Sequence, residues 1–208
     1  MRAAPLVSTI AGCLLVVGCG YLLPAQHQTI ERTELRGGDF ALDLEHATIH
    51  WKVDHLGFSQ FVGRFDRFDA RLDFDPDAPE AASLEVVIDT TSVSTHVPGF
   101  AAELRGRSWL DTERHPEARF VSRAITLTGP DSGTVTGDLT LLGTTEPVTL
   151  DVTFNGGASN FVTGRYTLGF AATAVIDRTA FGLITLAPAI GREVILEIHA
   201  EFIESAPS

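Results

Sequence analysis

From Gly38 onward, apolar and polar residues alternate with a period of two. Ile49, Trp51 and Val53 alternate with His50, Lys52 and Asp54, and Phe68, Ala70, Leu72 and Phe74 alternate with Asp69, Arg71 and Asp73. The same rule holds over 84–88, 135–141, 148–154, 166–174 and 194–202. Each run is a strand with one dry face and one wet face. Turn signals separate the runs: Asp75-Pro76-Asp77, Gly129-Pro130-Asp131-Ser132-Gly133, Gly143 to Pro147, and Asn155-Gly156-Gly157. Regularly spaced antiparallel strands of this kind predict an all-β sandwich or barrel. Small inward residues at Gly137, Ala172 and Ala174 leave interior space compatible with a lumen. One stretch breaks the rule. In residues 96–112, Phe100 and Leu104 fall near helical spacing, which predicts a short helix at about 99–106, lying across one end as a lid or plug.

The N-terminus follows a different pattern. Arg2 precedes an apolar run from Pro5 to Val17 that is short for a bilayer span and has the form of a signal peptide. The run ends in Val16-Val17-Gly18-Cys19, which resembles the lipobox of bacterial lipoproteins, whose cysteine receives the acyl chains. Ile10-Ala11-Gly12-Cys13 also fits, but it leaves a shorter apolar region, so Cys19 is preferred. Two or three acyl chains anchor a protein stably where one does not. An uncleaved anchor helix and ordinary secretion are the alternatives. The expected organisation is a signal peptide over 1–18, a tether over 19–37 and one domain over 38–205, exported and membrane-anchored in the cell envelope, facing the periplasm or the cell surface.

Composition narrows the function. A formal charge of −12 in 208 residues disfavours nucleic-acid binding and adhesion to anionic head groups by charge. Membrane attachment then needs an apolar or covalent anchor. Thirteen Phe against two Tyr and two Trp suit an apolar interior. Both cysteines, Cys13 and Cys19, precede the domain, so it holds no disulfide, thiolate metal site or thiol nucleophile. His46, His50 and His55 lie close in sequence, but on a strand His50 and His55 point to opposite faces, and no metal site is expected. Ser92 and Ser94 have no histidine–acid arrangement beside them, and no G-x-S-x-G elbow or glycine-rich phosphate loop occurs.

The order of motifs over about residues 38–203 resembles the YceI-like family of polyisoprenoid-binding, lipocalin-like proteins. Ile49-His50-Trp51-Lys52-Val53-Asp54-His55-Leu56-Gly57 is followed by Gly63-Arg64-Phe65 and Phe68. Ile88-Asp89-Thr90-Thr91-Ser92-Val93 comes next, then Trp109-Leu110-Asp111 and His115-Pro116-Glu117-Ala118-Arg119-Phe120. Gly137-Asp138-Leu139-Thr140 through Pro147-Val148 and Ile176-Asp177-Arg178-Thr179-Ala180-Phe181-Gly182 complete the series. The stretch before Leu104 departs from the family, carrying Gly99-Phe100-Ala101-Ala102 where polar residues are usual. The resemblance implies an elongated eight-stranded antiparallel barrel with a deep apolar channel for a long isoprenoid tail, of the quinone or polyprenyl type.

Strand parity then nominates the lining: Ile49, Trp51, Val53, His55, Phe68, Leu72, Val86, Ile88, Leu139, Phe170 and Ile176. Arg178 is the head-group candidate, with a structural pair with Asp177 at a strand end as the competing reading; for His55 the competing reading is a hydrogen-bonded core or strand-end histidine. For the lining as a whole, a solid core filled by these residues is the competing reading. The expected function is non-catalytic binding, sequestration or transport of an isoprenoid lipid, with no other cofactor, the membrane as partner through acylated Cys19, and a monomeric or dimeric state. The alternative is an envelope stress or redox protein acting on a bound quinone or through a protein partner.

Overall fold

The computed structural model describes residues 25–205, so the expected signal peptide and Cys19 lie outside the described residues. Eleven strand segments are β1 (Gly38–Leu42), β2 (Thr48–His55), β3 (Ser59–Phe65), β4 (Phe68–Phe74), β5 (Ser83–Asp89), β6 (Val93–Thr95), β7 (Glu117–Leu127), β8 (Ser132–Leu141), β9 (Thr144–Ser159), β10 (Tyr166–Asp177) and β11 (Ile190–Glu204). Three pairs of segments are single strands with an interruption. β1 runs into β2, β3 into β4 and β5 into β6, which makes eight strands in an antiparallel meander. β11 closes it by pairing with both β1 and β2. The expected eight-stranded barrel is thus the observed one.

Two of the interruptions, β1 to β2 and β5 to β6, have the same local cause. Asp43 accepts a hydrogen bond from Glu45 N and starts a 3₁₀ turn at 44–46. Asp89 accepts from Thr91 N at 2.8 Å and starts another at 90–92. Short polar side chains offer the backbone this alternative to the ladder. Asp177 repeats the device with Thr179 N at 2.9 Å and ends β10.

Two predicted turns fall elsewhere. The β8–β9 turn is Leu142-Gly143, both in the left-handed region at φ 54° and 77°, so Thr144 to Pro147 already belong to β9. Asn155-Gly156-Gly157 makes no turn. It is a bulge inside β9, where Gly169 faces Gly156 but Phe170 faces Phe154. Gly156 is needed for two reasons: its φ is 114°, and a Cβ there would lie 2.7 Å from Gln28 Cβ.

That contact shows where the expected tether runs. Residues 25–36 lie against the barrel. Thr29 and Gly157 exchange two backbone hydrogen bonds of 3.0 and 2.9 Å, and Arg36 N donates to the Tyr166 hydroxyl. Leu35 packs against the Phe40–Leu168–Phe202 core. The stretch has no period because it carries no extended ladder, and one isolated bridge and a few single contacts hold it.

Helix α1 spans Pro98–Leu104, with Pro98 at its first turn, where a missing N–H costs nothing. Below residue 117, β7 no longer flanks the barrel, and β6 pairs only with β3. The gap is filled by α1 and the segment after it. Leu104, Trp109 and Leu110 are buried there with Val93. The Thr185 hydroxyl donates to Ser108 O and ties the β10–β11 connection to this plug.

A candidate ligand-binding cavity

The barrel is not filled. An apolar cavity of about 340 Å³ runs along its axis. Trp51, Val86, Ile88 and Phe170 point inward yet remain half-buried, because part of their surface borders open space. Ile49, Val53, Phe68, Leu72 and Leu139 also line the cavity, packed more tightly into its wall. Two nominated residues do not line it. Ile176 is buried in the wall cluster with Phe181 and Ala174, without bordering the cavity. His55 is exposed, because β2 ends there and the chain turns through Leu56-Gly57 at the barrel's end. Its inward parity counts for nothing once the wall stops.

The two ends differ. At one end Leu104, Trp109, Leu110 and Leu183 seal the cavity. At the other, its border consists of partly or fully exposed residues: Ile30, Arg32 and Leu35 from the N-terminal segment, Pro76 and Pro79 from the β4–β5 loop, and Pro130 and Asp131 from the β7–β8 turn. This end is the mouth. Helix α1 is therefore a plug at the closed end, and its departure from the family pattern lies far from the mouth.

Among the lining residues, charged or hydroxyl side chains occur at four positions: Arg32, Asp131 and Ser132 at the mouth, and Arg178 at the closed end. Arg178 is almost fully buried. Its Nε donates to Gly191 O at 2.8 Å, Nη1 to Leu183 O at 2.6 Å and Nη2 to Ile190 O at 2.9 Å. Burial pushes its pKa down, opposed by neighbouring Asp177. Far from being poised for a head group, the guanidinium stitches the β10–β11 connection across the barrel floor. Asp177 itself bonds Thr179 and Arg192, which hold its pKa at about 2.

Several polar groups of the family motifs are occupied by the fold. Ser92 Oγ donates to Asp89 O at 2.6 Å and accepts from Arg67 N. Buried Thr90 donates to His115 O at 2.6 Å, which accounts for the His-Pro motif structurally. His46 bonds Asp43 at 2.9 Å, which raises its pKa. Glu201 completes a group whose ligand atoms lie within 4.8 Å of one another on the outer wall. His50 and His55 do not join that group. Reading the sequence missed Arg32, Leu35 and Asp131 as mouth residues. They lie in a segment without periodicity and in a turn, where no local signal shows which way a side chain faces.

The comparisons agree with this geometry. The profile of the family described as YceI-like domain matches residues 40–202. A UPF0312 protein of Pseudomonas syringae pv. tomato is 37% identical over 147 residues, covering 70% of this chain and 76% of that protein. The crystal structure of Burkholderia cenocepacia BcnA superposes with a TM-score of 0.70 at 27% identity, covering 77% of this chain and 98% of that one. A polyisoprenoid binding domain from Saccharophagus degradans, implicated in plant cell wall breakdown, shares the fold with a TM-score of 0.54 at 13% identity, covering 82% and 100%. By profile, sequence and fold alike, this chain belongs to the YceI-like domain family.

Proposed function

We propose that the protein binds a long isoprenoid lipid, of the quinone or polyprenyl type, in the barrel lumen and sequesters or carries it in the cell envelope without chemical turnover. The observation that carries this reading is the through-barrel apolar cavity, closed by the Trp109 plug at one end and open beside Arg32 and Asp131 at the other. A tail enters the dry tube while the head group stays at the mouth, where the charged and hydroxyl side chains are. Each buried CH₂ is worth about 0.8 kcal/mol, so about twenty tail carbons offset an association cost of roughly 4–15 kcal/mol. The isoprenoid class is supported by the Saccharophagus degradans fold relative, described as a polyisoprenoid binding domain. Acylation at Cys19 would hold the barrel at the membrane that supplies the lipid.

Both tryptophans of the chain, Trp51 and Trp109, line the cavity, so native fluorescence reports on the lumen. Titration with a long-chain quinone is expected to quench it saturably, and a tail-less quinone at equal concentration to quench it only by collision. Equal quenching by both would reject tail binding.

One observation favours the partner-protein reading. Leu56, Phe58, Ile184 and Leu186 are exposed together at the closed end, where Leu56 N donates to Ala189 O. A Phe58→Asp variant that kept its lipid and its fold but lost function in cells would support it.

A further inference from the structure

The geometry points to the mouth rim as a bilayer-docking surface: Phe161, Val162 and Ile30 seat in the membrane, and the cavity opens directly into it. This rests on acylation at Cys19 and on lipid binding in the lumen. Ile30 borders the cavity mouth and is partly exposed. Val162 is 74% exposed and Phe161 about half, in the β9–β10 loop. Gln26 fixes that loop to the start of the described chain, its Oε1 accepting from Phe161 N at 3.0 Å and its Nε2 donating to Ser159 O at 3.3 Å. The chain therefore leaves the barrel beside these apolar residues and on the mouth side.

Reach decides which end faces the membrane. Six residue steps separate Cys19 from Ala25, at most about 20 Å of extended chain. The 16 residues of β9 rise about 50 Å along the strand, or about 40 Å along a barrel axis at the usual tilt. Acyl chains on Cys19 can hold the mouth rim against a bilayer, whereas the apolar patch at the closed end, around Phe58, stands a barrel's length away. The outward positions of the wall between the ends are mostly polar, with Val62, Val121, Val175 and Ile195 exposed among them, so it is the reach of the anchored chain, not the wall, that selects the mouth rim. With a net charge of −12, apolar insertion rather than charge must supply the contact. A lipid then passes between membrane and lumen without crossing water, its head group level with Arg32 and Asp131.

The test uses the full chain, processed from its own signal and reconstituted into vesicles of phosphatidylethanolamine and phosphatidylglycerol. Val162→Cys and Phe58→Cys are labelled with an environment-sensitive fluorophore, the domain having no other cysteine. The expected result is that both variants float with the vesicles. The label at 162 shifts to the blue and is quenched by spin-labelled lipid, while the label at 58 reads as in water. Flotation with a water-like signal at 162, or a lipid-quenched signal at 58, overturns the proposal. Failure to float, with an N-terminal mass lacking acyl chains, removes the anchor and overturns it by that route. Lipid retained by the same preparation shows separately whether the lumen reading stands.

Discussion

If the lumen holds the tail, filling it from the wall must weaken binding without unfolding the barrel. Ala172 is the place to do so. It lies mid-strand in β10, opposite Val152 and Ile198, and lines the cavity with part of its surface free. A tryptophan there projects into open space. An aromatic side chain covers roughly 150 Å² or more, wall that the tail can no longer touch. At about 25 cal/mol per Å² the loss is about 4 kcal/mol, nearly three orders of magnitude in Kd. Overpacking a full core costs about 1–3 kcal/mol. Because Ala172 faces a cavity, the stability change should fall below that range. Val175→Trp, three residues on and facing outward, is the control. The assay is lipid titration followed by native mass spectrometry, with circular dichroism confirming the fold. An Ala172→Trp protein that is folded and binds within twofold of wild type would refute the lumen as the binding site.

Three further outcomes follow from particular contacts. A Cβ on Gly63 would fall 2.1 Å from the Trp51 ring, so Gly63→Ala should lower stability by about 1–3 kcal/mol in urea unfolding; an unchanged midpoint would mean the indole moves freely. Arg178→Lys replaces a planar fork serving three carbonyls with a single ammonium, and should cost about 1–3 kcal/mol while leaving lipid affinity of the folded protein unchanged. Lost affinity at full stability would instead restore Arg178 as a head-group contact. Asp177, with a folded pKa of about 2 against an unfolded value of about 3.9, adds stability above pH 4 that is lost as pH falls toward 2. Urea midpoints of wild type and Asp177→Asn should therefore differ at pH 6 and draw together as pH falls through about 2, and a gap at pH 2 as large as at pH 6 would mean the carboxylate is not the cause.

Strand parity carried most of the wall into view. Nine of the eleven nominated lining residues border the cavity, because a half-wet, half-dry strand reveals which side chains face inward. Parity says nothing of where a wall ends, and His55, inward by parity, is the strand-end histidine of its competing reading. Nor does parity separate a residue bordering free space from one packed behind it, which is the case of Ile176. Asn155-Gly156-Gly157 has the composition of a hairpin turn; only the passage of Gln28 and Thr29 across the strand shows that its glycines serve a crossing. A structural role for Arg178 is legible at a strand end, but its partners are not: the acceptors, at 183, 190 and 191, belong to a loop whose return path no local pattern encodes. The mouth was hidden for the same reason: it is assembled from three non-repetitive segments far apart in sequence.

The central claim is that the lumen carries a long apolar lipid. The most direct measurement compares native with denaturing mass spectrometry of the protein purified from cell envelopes without detergent. The account predicts a native mass above that of the polypeptide, and release on denaturation of a neutral or phosphorylated isoprenoid of matching mass. A bare polypeptide mass that stays bare after incubation with long-chain quinones and polyprenyl phosphates would contradict it.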